Sequence, residues 1–177
     1  MPISPDITVP VFGSTDELVF QILKEFFKDQ DVHIGTWFTE DIKPPMVICR
    51  RERRSGTIAN VVNDDRFMQA SVVSINTITA GVDADEQGAE LQEACRIALR
   101  QAQIKQTVVP NAGSISVITN SSPANQASDY ATSTGVQQYA SLPQGWIRWE
   151  ALYRIIQRSP NQSTITNRFL TAPDPQG

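Results

Sequence analysis

Apolar and polar positions alternate along this chain with two periods, and the period changes mark its elements. Between Thr15 and Phe27, Val19, Ile22, Leu23 and Phe26 fall at i, i+3, i+4 and i+7, which predicts an amphipathic helix. Lys24 and Lys28 lie in its last turns, where cations suit the negative end of the helix dipole. A strand is expected over Val32–Phe38, and a second over Met46–Arg51 after Pro44 and Pro45. Arg66–Thr79 carries Met68, Ala70, Val72, Val73, Ile75 and Ile78, the composition of a long central strand covered over part of both faces. The period returns to 3.6 over Asp83–Gln103, where Leu91, Cys95, Ala98 and Ala102 form a seam widened by Ala94 and Leu99. Small residues dominate that seam, so the helix can lie close to a sheet. Trp146–Arg158 has strict period 2, with Ile147, Trp149, Ala151, Tyr153 and Ile155 on one face.

The stretch 106–145 breaks both patterns. It holds one charged side chain, Asp129, among Ser, Thr, Asn, Gln, Ala and Gly. A short strand over Ile115–Thr119, stopped by Pro123, is the only element expected there. An uncharged loop of this length either packs against a partner or moves freely, and the sequence leaves both open. Prolines at 2, 5 and 10 deny a helix to the first twelve residues, and residues 159–177 are polar with three more prolines. The expected organisation is an N-terminal arm (1–12), one core domain (13–158) containing the polar loop 106–145, and a C-terminal arm (159–177). The expected fold class is α+β: a mixed, mostly antiparallel sheet packed against two helices, with extended arms at both ends.

Composition bounds the function. The 177 residues suit one domain, 40% of them are hydrophobic, and the formal net charge is −4. That balance argues against a dedicated nucleic-acid binder. No secretory leader and no membrane span is expected from the sequence.

Chemistry-bearing residues are few. His33 is the one histidine, read as a strand position. Cys49 and Cys95 show no ligand spacing and read as small core residues. Asp64 and Asp65 read as turn residues; Asp83 with Glu86, and Ser14 with Glu17, have the spacing of helix capping boxes. No catalytic residue, metal ligand or cofactor site is expected, and an enzyme is disfavoured. The rival within chemistry is a small metal-dependent nucleic-acid-processing enzyme using Asp64, Asp65 and Glu86. The one dense basic patch is Arg50, Arg51, Arg53 and Arg54, expected on a loop and read as a contact for an acidic protein surface or for passing phosphate.

The opening helix at Thr15–Phe27, the strand–turn–helix from Arg66 through Gly81 into Asp83–Gln103, and the last strand, Gly145–Arg158, together resemble the tail terminator (tail completion) proteins of long-tailed bacteriophages. The resemblance is one of element pattern over about Ser14–Arg158. It implies a structural role in the virion: a homo-hexameric ring at the head-proximal end of the tail tube, stopping tube polymerisation and offering a head-joining surface. The implied partners are other copies of the chain, the tail-tube protein and a head-completion or neck protein, with DNA only as cargo through the lumen. Another virion ring protein, a neck or tube subunit, is the nearest alternative. Six subunits at −4 each total −24, so such a ring would not grip DNA tightly unless its charge is unevenly placed.

Overall fold

A computed structural model describes residues 12–38, 41–52, 68–127 and 142–160. Its elements are α1 (Thr15–Phe26), β1 (His33–Gly35), β2 (Met46–Arg51), β3 (Met68–Ala80), α2 (Ala84–Ile104), β4 (Val108–Val109), β5 (Gly113–Ala127) and β6 (Trp146–Arg158). The strands form one sheet in the order β1-β2-β3-β6-β5-β4, with β1 parallel to β2 and every other pair antiparallel. The fold is α+β, with a mixed, mostly antiparallel sheet and two helices. Of the two expected arms, only Phe12, Ser159 and Pro160 lie among the described residues.

The helices share one face of the sheet. Buried positions of α1 are Thr15, Leu18, Val19, Ile22 and Leu23; those of α2 are Ala84, Gly88, Leu91, Gln92, Cys95, Ala98, Leu99 and Ala102. They close over Val47, Cys49, Val73, Ile75, Ala151, Tyr153 and Ile155. Those sheet residues alternate with partners on the opposite face, as the pleat requires. That opposite face has its own small cluster, Met46, Ile48 and Ile78, against which Phe38, Ile42, Leu142 and Trp146 pack.

Polar side chains fix how α2 sits. The Thr77 hydroxyl donates to Gly88 O (3.0 Å) and the Thr79 hydroxyl to Ala84 O (2.5 Å), so β3 grips the first turns of the helix. Gln92, fully buried, donates through Nε2 to Ile75 O (2.7 Å) and Trp149 O (3.1 Å). Gly88 is required by this approach: a Cβ there would lie 2.5 Å from Trp149 Cδ1 and 3.1 Å from Thr79 Oγ1. The small-residue seam does bring helix and sheet together, and Gly88 is its closest point.

A second polar knot ties α1 to the far end of the sheet. Buried Gln157 accepts from the Thr15 hydroxyl (2.8 Å) and donates to Gly13 O (3.0 Å) and Ala112 O (2.5 Å). Thr15 Oγ1 also lies 3.0 Å from Ser71 Oγ. Beside it, Gly113 has φ +100°, and a Cβ there would lie 1.9 Å from Arg158 O.

The polar stretch departs most from expectation. Instead of a loop with a short strand, it supplies β4 and the fifteen-residue β5, which passes through Pro123. Three register shifts against β6 make this workable, between Ile115 and Val117, Asn120 and Ser122, and Ser122 and Asn125. Each inserts one extra residue, which is a β-bulge. The first bulge lets Ile115 and Ile118, three apart, both turn toward the helices. Pro123 falls inside the third, opposite no paired residue of β6, so its missing N–H interrupts no paired position. Period-2 reading fails on a bulged strand because each bulge resets the phase. Part of the stretch, residues 128–141, lies outside the described residues.

Two smaller expectations also change. The first strand is only His33–Gly35 rather than Val32–Phe38. The buried stripe of α1 is rotated from the expected one, and Phe26 is 37% exposed while Phe27 is buried in its place. The two rings meet edge to face at 5.0 Å.

Candidate partner interface

The arginine run begins within the sheet. Arg50 and Arg51 pair with Ser74 and Val73 at the end of β2, within the strand expected over Met46–Arg51 and so not on the loop expected for the arginine run; Arg53 and Arg54 lie outside the described residues. Pairing with β3 continues to Arg51, opposite Val73, and Glu52 N still donates to Val72 O (2.8 Å). Arg50 shares a face with Met46 and Ile48, away from the helices. Its guanidinium sits 5.0 Å from the centre of the Trp37 ring, which is 62% exposed. A cation over an exposed indole contributes about 0.5–1 kcal/mol and holds the arginine in place. Arg51 is exposed.

The same face continues as a polar row. Arg148 Nη1 donates to Asn76 Oδ1 (3.1 Å), and Asn76 Nδ2 donates to Ser74 Oγ (3.0 Å). All three residues are buried, Arg148 at 8% exposure. Register places Arg50 beside Ser74, Glu150 beside Asn76 and Arg154 beside Val72. Charge on this face therefore comes from β2 and β6, on either side of the uncharged Ser74 and Asn76 of β3. Sequence reasoning did not single out Asn76 or Arg148; the pairing of β3 with β6 reveals the row.

Of the three carboxylates of the catalytic rival, only Glu86 lies among the described residues. Glu86 is exposed on the first turn of α2, and Asp64 and Asp65 lie outside the described residues. Asp85 accepts a hydrogen bond from the Trp149 indole (3.1 Å). Among the described residues no group of three or more His, Cys, Asp and Glu could hold a metal ion. The expected capping boxes are absent too. Ser14 and Asp83 hold the N-cap positions without a side-chain cap bond, and the Ser14 hydroxyl turns to the Asp16 carboxylate instead. An acidic group two residues on competes for the hydroxyl that capping needs. The acidic first turns, Asp16 with Glu17 and Asp85 with Glu86, still complement the helix dipoles.

Neither cysteine is a nucleophile as placed. Both are free and buried, and burial pushes both thiols well above their ordinary range, with the Asp16 charge adding to Cys49. A thiol without access to its thiolate is a core residue. His33 is a half-buried strand residue, as expected.

On the helix side lies an open cleft of about 360 Å³. Ile22 and Phe26 of α1, Ala98 and Ala102 of α2, and Val108 and Val109 of β4 supply its apolar lining. Val108 is 65% exposed at its lip. No sequence signal marked this cleft, because it forms where the ends of three elements meet.

The chain matches no family model and no curated protein.

Proposed function

We propose that this chain is a structural subunit of a bacteriophage virion, forming a homo-hexameric ring that caps the head-proximal end of the tail tube. In that role it stops tube polymerisation and presents a surface to the neck of the head. One observation carries the reading: the two longest connections leave opposite ends of a single sheet. The β2–β3 connection departs at Glu52 and returns at Met68, at the end where Met68 pairs with Arg158. The β5–β6 connection departs at Ala127 and returns toward Trp146, at the end where Ala80 pairs with Trp146. A part with two axial partners needs separate contact segments on a rigid body, and strands of thirteen residues set the two ends of the sheet roughly 40 Å apart.

In this reading the arginines at 50, 51, 53 and 54 meet an acidic face of one axial protein partner, and DNA passes the ring as cargo. Arg50, seated on Trp37, anchors the start of that contact. No cofactor takes part. Electron microscopy of the purified protein, with and without tail tubes, tests the assignment. Closed rings bound at one tube end are expected. Indefinitely long tubes of the protein itself would make it a tube subunit, and monomers indifferent to tubes would overturn the ring.

A further inference from the structure

β5 runs on past its outer neighbour. β4 pairs only with Gly113 and Ser114, so from Ile115 onward the outer margin of β5 meets no strand among the described residues. An unpaired margin is a place where another strand can add. The segment that begins it, Ser114–Thr119, reads Ser-Ile-Ser-Val-Ile-Thr, rich in β-branched residues and free of charge and proline. Segments of about six such residues stack on identical copies of themselves. The strand best suited to add there is therefore the same segment of a second copy of this chain.

Side chains from the end of α2 stand across that margin. Arg100 Nη1 donates to Ile118 O (3.4 Å), Gln103 Nε2 donates to Ser116 O (3.2 Å), and Gln106 Nε2 lies 3.5 Å from Ile115 O. The three are also joined to one another: Arg100 Nη1 donates to Gln103 Oε1 (2.8 Å), and Gln106 Nε2 to Gln103 O (2.6 Å). Arg158 Nη1, 3.5 Å from Gln106 Oε1, ends the row with a second positive charge. Gln106 holds its place at a backbone cost. It follows the C-cap Lys105 with φ +50°, and Thr107 N donates to Ala102 O (2.9 Å), the bond that closes a Schellman turn. Glycine is the usual residue at that left-handed position, and it would lack the side chain that reaches Ile115. Farther along β5, Pro123 and the two later bulges disturb the same margin.

We propose that Arg100, Gln103 and Gln106 form a guard that denies Ser114–Thr119 to the same segment of a second copy. This does not depend on the ring assignment, because whatever assembly the wild-type chain forms is the baseline. Copies meet by other surfaces while the guard is in place.

Gln106→Gly tests it in the full chain, since this change relieves the backbone while removing part of the guard. Its denaturant midpoint is expected to equal or exceed that of the wild type. Combined with Arg100→Ser and Gln103→Ser, it is expected to lower the concentration at which folded chains associate beyond the wild-type assembly by at least about tenfold, read by light scattering and sedimentation. Adding Val117→Lys, at a 42% exposed position of the same segment, is expected to restore the wild-type threshold by setting like charges against each other. A folded triple variant with the wild-type threshold would overturn the inference. So would association that Val117→Lys leaves unchanged, because the contact would then lie elsewhere. Should the triple variant unfold, Gln106→Gly alone decides: a lowered threshold at undiminished stability supports the guard, and an unchanged threshold overturns it.

Discussion

At Gly88 a missing methyl group decides how α2 lies on the sheet. Helix propensity alone favours alanine there by about 1 kcal/mol. The Trp149 ring occupies the space a methyl would need, and it is held by its hydrogen bond to Asp85. Overpacking of this kind costs about 1–3 kcal/mol, so Gly88→Ala is expected to destabilise the protein on balance, read as a lower denaturant midpoint at unchanged slope. The sequence showed Gly88 only as a weak point in a helix; its reason is a contact sixty-one positions away. The buried acids give a second prediction at this scale. Burial raises the thiols of Cys49 and Cys95 and pushes the Tyr153 hydroxyl up to about 12. In the unfolded chain the thiols ionise near pH 8.5, while the folded protein keeps them protonated. Above that pH the unfolded state binds fewer protons, so stability falls as pH rises, with a limiting slope of about 1.4 kcal/mol per pH unit for each thiol. Unfolding midpoints are expected to hold level from pH 6 to 8 and drop above about 9. Cys95→Ala is expected to flatten that drop.

Elements differ in how openly the sequence declares them. Met46–Arg51 and Trp146–Arg158 are found as expected, because each keeps one unbroken period and ends at turn residues. Both helices fall within one residue of expectation at each end. β5 escapes for a physical reason: its bulges shift the phase three times, and Pro123 looks like a stop until it is seen to lie in one of them. The candidate interface is less visible still, since Arg50 can be named from the sequence but its seat on Trp37 and the row through Asn76 and Arg148 depend on strand pairing. Buried Gln157, which joins β6, α1 and the β4–β5 turn, likewise reads as one more polar residue at a strand end. Replacing it by leucine keeps the bulk but leaves the Gly13 and Ala112 carbonyls without their donor. Gln157→Leu is expected to destabilise by about 2–4 kcal/mol, measured by thermal or denaturant unfolding, with fraying first at the start of α1 in hydrogen exchange.

For the whole molecule, the proposal separates assembly from joining. Exchanging Arg51, Arg53 and Arg54 for serine removes three charges and leaves the helix-side core untouched. Rings are expected to form normally by electron microscopy, while infectious particle yield falls by at least about tenfold, the loss of about 1.4 kcal/mol at one contact. Full yield from this variant would remove the arginines from the joining surface. Arg50 is left in place because its ring contact belongs to the fold as much as to the surface. The opposed exits of the two long connections have one more consequence. Because residues 53–67 and 128–141 are inserted at different ends of one continuous scaffold, a change of sequence in one does not have to be matched by a change in the other. Each could be exchanged for the corresponding stretch of another such protein and retarget one junction alone, which would make the chain an adaptor whose two specificities are inherited separately.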